Sequence, residues 1–217
     1  MTTWSERLDC KRIRIGLGVE RLDYTKGIPQ RLKAIRLLLA NNRELIGHFT
    51  FVQIATLSRL ALDDYKELKD DIIQLADAIN LEFGTEQWQP ILLELKSYNQ
   101  VELIALERLA SFCMVSSLHD GMNLVAKEFC ASRVDNRGVL ILSKFTGSAL
   151  ELDGAILVNP FSIEMLAEAM DQALAMDMEE MEERMKRMRS HLTSHNVYQW
   201  GADLISHLIK IDGAKCP

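Results

Sequence analysis

The chain has 217 residues, of which 48% are hydrophobic, and its 31 acidic and 25 basic residues give a formal net charge of -6. A chain of this length and apolar content can bury a core of its own, and its acidic balance argues against nonspecific binding to nucleic acid or to anionic membranes. No apolar run reaches the length of a membrane span and the N-terminus lacks a hydrophobic signal core, so we expect a soluble, cytoplasmic protein.

Short apolar runs alternate with longer stretches of helical periodicity, which is typical of a parallel sheet covered by helices. The sequence predicts strands at residues 13–19, 48–56, 90–95, 112–116, 138–143 and 155–160. The predicted helices cover residues 29–39, 61–83, 101–110, a stretch starting near residue 123, and residues 163–176, 178–192 and 197–211. We therefore predict an α/β fold with a Rossmann-like doubly wound sheet. It forms one domain over residues 1–217, with an N-terminal extension (1–11) and C-terminal helices (178–217).

Two features of the second half of the chain give further expectations. Ser162 is a plausible N-cap for the helix that follows it. The next helix carries a stripe of apolar residues at helical spacing: Met178, Met181, Met185, Met188 and Leu192. A flexible face that fills the core is the favoured interpretation of this stripe, and a groove for a partner is the alternative.

The four cysteines are Cys10, Cys113, Cys130 and Cys216, and they are far apart in the sequence. They show none of the paired spacings that metal sites use, and two of them fall in segments that look buried. Reduced thiols in a cytoplasmic protein are the simplest interpretation.

Polar clusters follow three of the predicted strands, and open parallel sheets bind ligands beyond the carboxyl ends of their strands. The first cluster is "GVERLDYTKG", Gly18 to Gly27. Arg21 and Lys26 could reach phosphate oxygens, and the two glycines would let the backbone come close to a ligand. The pattern is neither a P-loop nor a dinucleotide-binding fingerprint, so a solvated loop remains an alternative.

The second cluster is "SSLHDGMNLVAKE", which leads from a buried strand into a helix starting near Asn123. The free N–H groups of a helix N-terminus suit a phosphate or sugar hydroxyls. Asp120 and Glu128 could accept hydroxyl protons, although Asp120 could instead only cap the helix and Glu128 be a surface charge. His119 could act as a base, but no nucleophile pattern accompanies it. The third cluster, "ATLSRL", offers a single basic residue, Arg59.

Several blocks in the same order resemble the second half of glycosyltransferase family 20, the trehalose-6-phosphate synthases: "GVERLDYTKGIPQRL", "VQIATLSR", "LHDGMNLVAKEF", "GVLILSKFTGSALEL" and "ILVNPF". The similarity runs from about residue 12 to residue 211. The resemblance implies the GT-B architecture, in which two Rossmann-like domains face each other across a cleft and the C-terminal one holds the nucleotide sugar. This chain resembles that C-terminal, donor-binding half only.

Carried over by motif, the resemblance implies that Arg21 and Lys26 hold the donor diphosphate and stabilise charge on the departing nucleotide, without a metal. Asp120 is expected to bind the glucose hydroxyls, Glu128 to bind the ribose hydroxyls, and Arg59 to bind the phosphate of the acceptor. The backbone amides of Gly121, Met122 and Asn123 are expected to contact the sugar and phosphates. Leu124 and Val125 are expected to lie near the nucleoside and diphosphate, and the backbone near Tyr98 is expected to meet the base.

The function implied is transfer of glucose from UDP-glucose to glucose 6-phosphate with retention of configuration, giving trehalose 6-phosphate, with no cofactor. A glucosylglycerol-phosphate-type synthase is one alternative, because His119 replaces an arginine common in the family and Asn99 follows Tyr98 where relatives can carry a basic residue. A non-catalytic partner or regulatory module of the same fold is another. The expected partners are a nucleotide sugar, a sugar phosphate and a missing N-terminal domain or partner chain, with self-association as a secondary prediction.

Overall fold

The computed structural model describes Trp4, Leu8, residues 12–57 and residues 63–213, with the backbone alone at residues 203 and 211–213. A six-stranded sheet in the order β3-β2-β1-β4-β5-β6, with every strand pair parallel, forms its centre. Its strands are β1 (Arg14–Arg21), β2 (Phe49–Thr56), β3 (Ile91–Glu94), β4 (Phe112–Val115), β5 (Val139–Ser143) and β6 (Ile156–Val158). This is the order of a doubly wound Rossmann-like sheet, and the predicted fold class is confirmed.

Helices cover both faces of this sheet. They are α1 (Ile28–Asn41), α2 (Asp63–Phe83), α3 (Gln100–Leu109), α4 (Leu124–Ser132), α5 (Ile163–Ala175), α6 (Met178–Ser194) and α7 (Val197–Gly213). One apolar cluster packs α1, α2 and α5 against the sheet, and a second packs α3, α4 and α6 against its other face. Because both faces are covered, the strands are near-continuous apolar runs, and β2, β4 and β5 are buried along almost their whole length.

Local signals in the sequence explain several helix ends. Pro29 lies in the first turn of α1, where its missing N–H costs nothing. Asn99 and Glu102 form a reciprocal capping box at the start of α3. Ser162 accepts a hydrogen bond from the backbone N–H of Met165 at 3.2 Å, so the predicted N-cap of α5 is confirmed.

The methionine stripe of α6 faces the core. Met185 and Met188 are buried within the second cluster and Met181 packs against the first, whereas Met178 at the start of the helix is exposed. The interpretation as a core-filling face is therefore confirmed for the middle of the helix. By contrast, α7 leaves large apolar side chains exposed, with Trp200 62% and Leu208 57% accessible.

The sheet opens between β1 and β4, the two strands at which the chain reverses its direction of travel across the sheet. β1 pairs with β2 over its full length, from Arg14 opposite Phe49 to Arg21 opposite Thr56. It pairs with β4 only at Gly16 and Leu17. The carboxyl ends of β1 and β4 therefore diverge and leave a crevice, which is where doubly wound sheets bind their ligands.

Candidate functional site

A short 3₁₀ turn (Tyr24–Lys26) after β1 carries Lys26 to this crevice. Asp23 caps the turn, accepting hydrogen bonds from the backbone N–H of Thr25 at 2.9 Å and from its hydroxyl at 2.7 Å, with the Tyr65 hydroxyl at 3.3 Å. Burial acts to raise the pKa of Asp23, but these hydrogen bonds outweigh it and hold the pKa below its usual value. Asp23 was not predicted as a positioning residue, although an Asp two residues before a Thr is a common turn signal.

Lys26 meets Asp120, which follows β4 and lies 94 residues further along the chain. The ammonium nitrogen is 2.6 Å from Asp120 Oδ2, and both side chains are largely buried. Asn123 Nδ2 also donates to Oδ2 at 3.0 Å. Burial acts to raise the pKa of Asp120, but the hydrogen bonds from Lys26 and Asn123 and the charge of Lys26 hold it below its usual value. Asp120 is therefore ionised at neutral pH.

The turn Asp120–Asn123, which is predicted to bind the donor and is called the donor turn below, leads directly into α4. Asn123, not Asp120, caps the helix: its side chain accepts a hydrogen bond from Ala126 N at 3.1 Å. Asn123 has φ +71°, a left-handed conformation that asparagine tolerates better than most residues. The alternative that Asp120 is only a capping residue is wrong, because its carboxylate faces Lys26 instead.

A buried polar cluster that was not predicted from the sequence joins the ends of β1, β2 and β4. Arg31, on the apolar face of α1, has an ion pair with Glu20 on β1. It also donates to Gln53 Oε1 on β2 at 2.8 Å and to Ser116 Oγ after β4 at 3.0 and 3.1 Å. The signal in the sequence was a charged residue three positions after Ile28 and four before Ile35, on a face otherwise made of apolar side chains.

The two glycines of the first cluster have structural reasons that differ from the prediction of close approach to a ligand. A Cβ at Gly18 would lie 2.3 Å from the Arg31 guanidinium, so this glycine makes room for the buried cation. Gly27 has φ +67°, and a Cβ there would lie 2.4 Å from the Ser116 carbonyl oxygen. Gly27 thus lets the start of α1 touch the chain that leaves β4.

The other predicted site residues lie around this centre. Arg21 is exposed at the end of β1, and no hydrogen bond or ion pair joins it to Lys26 or Asp120 in the described part of the chain. Gly121, Met122 and Leu124 are exposed, Val125 is half-buried, and Glu128 is exposed on α4. Tyr98 is half-buried after β3 and packs against Trp4, with ring centroids 5.1 Å apart. The prediction for Arg59 falls outside the described residues.

A cavity of about 450 Å³ lies between α3 and α4, and Glu128 lines it. Glu107 lines it too, although its side chain is almost wholly buried and its Oε2 has no hydrogen-bond partner among the described residues. Burial raises the pKa of Glu107 to about 7. The cavity is thus bordered by one exposed carboxylate and one carboxyl group that is partly protonated near neutral pH.

Comparison with known proteins finds a protein family whose sequence pattern includes the blocks around this crevice. The model of glycosyltransferase family 20 matches residues 5–210. The chain belongs to glycosyltransferase family 20. Its predicted family is thereby confirmed, and every block of the crevice lies within the matched region.

Relatives within family 20 are similar over almost the whole chain. The chain is 40% identical to the UDP-forming alpha,alpha-trehalose-phosphate synthase of Candida albicans, covering 94% of this chain and 43% of that protein. It is 39% identical to that of Botryotinia fuckeliana, covering 92% and 38%. The chain therefore spans about two fifths of the length of these relatives, in agreement with the prediction that it corresponds to one half of the family's architecture.

Solved structures of family members share the fold. A UDP-forming trehalose-phosphate synthase from Burkholderia xenovorans, solved in complex with glucose-6-phosphate, superposes with a TM-score of 0.89 at 37% identity, covering 92% of this chain and 44% of that one. The E. coli structure bound with UDP-2-fluoro glucose superposes with a TM-score of 0.89 at 34% identity, covering 92% and 45%. The architecture is thus that of one half of a GT-B glycosyltransferase.

Proposed function

We propose that this chain is the donor-binding part of a retaining glucosyltransferase that forms trehalose 6-phosphate from UDP-glucose and glucose 6-phosphate. The observation that carries the proposal is the contact of Lys26 with Asp120 beside the N-terminus of α4, in a chain of family 20. The relatives described above are UDP-forming trehalose-phosphate synthases, which favours this reaction over the glucosylglycerol-phosphate alternative.

The charges of the crevice support the proposed roles. A lysine ammonium has three N–H donors, and Asp120 takes one, so Lys26 keeps donors for diphosphate oxygens. Arg21, exposed on the neighbouring strand end, would supply the second cation, and the two together would stabilise charge on the departing UDP. This electrostatic assistance is proposed to need neither a metal nor another cofactor.

The remaining contacts follow the path of the donor along α4. Asp120 is ionised and can accept hydroxyl protons from glucose, while the free N–H groups at the start of the helix can receive the sugar and phosphates. Glu128, further along α4 and lining the neighbouring cavity, would accept the ribose hydroxyls. Tyr98 would meet the base through its backbone, and Arg59 would reach the phosphate of glucose 6-phosphate.

The chain spans about two fifths of its relatives, and the acceptor must be held opposite the donor. We therefore propose that efficient turnover needs the part of those relatives that this chain does not span, supplied as a further domain or as a partner chain. A cytoplasmic location is proposed as well. The buried free thiols of Cys113 and Cys130 support it. As a separate finding, no helix within the described residues has both the length and the hydrophobicity of a membrane span.

Calorimetric titration of the chain with UDP and UDP-glucose tests the proposal. Each charge-assisted hydrogen bond contributes roughly 1.5 to 3 kcal/mol, so the Arg21→Ala, Lys26→Ala double variant, which loses at least one from each residue, should bind both ligands at least about a hundredfold more weakly. The control is the Lys33→Ala, Arg36→Ala variant, which also removes one lysine and one arginine, but from the exposed face of α1. It should bind both ligands like the wild type. Absence of binding to the wild type, or equal binding by the double variant, would contradict a donor site in this crevice.

A further inference from the structure

A segment outside the predicted donor residues, Phe145–Ser148, packs along the donor turn. It will be called the bracing segment. Asp120 N donates to Phe145 O at 3.2 Å, Gly147 N donates to Asp120 O at 3.2 Å, and Ser148 N donates to Met122 O at 3.0 Å. The bracing segment thus extends the pairing of β4 with β5 beyond the ends of both strands, where Asp120 and Thr146 form an isolated parallel bridge.

Two details make this contact unusually close. A Cβ at Gly147 would lie 2.2 Å from the Gly121 carbonyl oxygen, so the two backbones touch. The Ser148 side chain is fully buried, and its hydroxyl points to two carbonyl oxygens of the donor turn, that of Met122 and that of Asn123 at 3.1 Å. A hydroxyl has one hydrogen to donate, which these two carbonyls share.

The orientation of those carbonyls decides where the neighbouring N–H groups point. In a trans peptide the C=O and the following N–H lie on opposite sides of the chain. Holding the carbonyls of Met122 and Asn123 against Ser148 therefore directs the N–H groups of Asn123 and Leu124 away from the bracing segment. Asn123 also has a positive φ, and such a sparsely populated backbone conformation persists only where the surrounding structure holds it.

We propose that Ser148 is a positioning residue for the donor sugar: its buried hydroxyl sets the peptide planes of the donor turn so that the Asn123 and Leu124 amides face the glucosyl diphosphate. This inference rests on the proposed function and adds a residue that makes no direct contact with the ligand. Ser148 acts through the turn, so its removal weakens binding of the sugar and diphosphate more than binding of the nucleoside end.

Calorimetric titration of the full chain with UDP-glucose and with UMP tests the proposal, since UMP lacks the glucose and the second phosphate. Loss of one hydrogen bond in Ser148→Ala should weaken UDP-glucose binding about three- to tenfold and leave UMP binding unchanged. Ser148→Cys keeps a weak donor and should show a smaller loss. Thr146→Val is the matched control, because the Thr146 hydroxyl is buried in the same segment but donates to Ser143 O and not to the donor turn.

Amide hydrogen exchange supplies a second measurement. The Ala126 amide, which donates a hydrogen bond to Asn123 Oδ1 at 3.1 Å, should exchange faster in Ser148→Ala than in the wild type or in Thr146→Val, because the turn that holds its acceptor is less restrained. Unchanged UDP-glucose affinity in Ser148→Ala, or an equal loss for UMP, would overturn the proposal. If the alanine variant does not fold, the same comparison made with Ser148→Cys decides. A wild type that binds no UDP-glucose would instead overturn the proposed function.

Discussion

Replacing the buried Arg31 by methionine should destabilise the protein by about 3 to 5 kcal/mol, the usual cost of removing one partner of a buried ion pair. The Arg31 and Glu20 side chains are only 1% and 7% exposed, so water cannot replace the lost guanidinium. The Gln53 and Ser116 oxygens that accept hydrogen bonds from Arg31 lose their donor at the same time. Methionine fills much of the same volume, so the loss of charge and hydrogen bonds dominates the effect.

Equilibrium urea unfolding of the wild type, Arg31→Met, Glu20→Gln and the double variant measures this cost. The double variant should recover part of the loss, because the unpaired carboxylate is gone. Burial raises the pKa of Glu20, and Arg31 opposes that rise. In Arg31→Met the pKa of Glu20 in the folded state rises further, so this variant should gain stability relative to the double variant as the pH falls.

Arg36→Met is the matched control, since Arg36 lies on the same helix and pairs with Glu82 at 2.6 Å, but both side chains are exposed. Exposed pairs contribute about 0 to 1 kcal/mol, so this variant should unfold almost like the wild type. A loss of less than about 1 kcal/mol in Arg31→Met, or no recovery in the double variant, would show that the buried cluster does not hold the strand ends.

Three further predictions follow from other parts of the chain. Gly27→Ala should cost more than about 2 kcal/mol in urea unfolding, because strain at positive φ adds to a clash with the Ser116 carbonyl, whereas Gly47→Ala, at φ +79° with nothing within 4 Å, should cost about 1 kcal/mol; equal costs would argue against the clash. The raised pKa of Glu107 predicts that the wild type loses stability between about pH 4.5 and pH 7 relative to Glu107→Gln, since ionisation is harder in the folded state; parallel stability curves in chemical denaturation would contradict this. The exposed apolar residues of α7 predict self-association, detected as concentration-dependent elution in size-exclusion chromatography and reduced in Leu208→Glu, and a strict monomer for the wild type would count against it.

Much of the architecture could be predicted from the sequence because a parallel sheet covered on both faces needs apolar strands, and those runs are visible in the chain. All six strands occur where apolar runs predict them, with ends that differ by at most two residues. β1 is longer than predicted because its pairing with β2 continues through Glu20 and Arg21, two charged residues that mark no apolar run. Glu20 is nevertheless held inside by Arg31.

The candidate site was predictable only in part. The "DGMNLV" block drew attention to Asp120, but local sequence alone suggested a helix cap, and the contact with Lys26 was not expected. Ser148 was missed because a serine in a short loop carries no periodic signal. Its role depends on the fit between two chain segments that are 25 residues apart in sequence.

The sequence by itself determined the kind of sheet, the family and the blocks that hold the polar side chains, since these depend on local composition, periodicity and motif order. Only the tertiary structure decided which polar groups meet. The divergence of β1 from β4 after Leu17 opens the crevice, Arg31 on α1 donates a hydrogen bond to Ser116 beyond β4, and Lys26 lies 2.6 Å from Asp120. The physical reason is that charge pairing and burial act across space, between residues whose separation along the chain carries no signal of their contact.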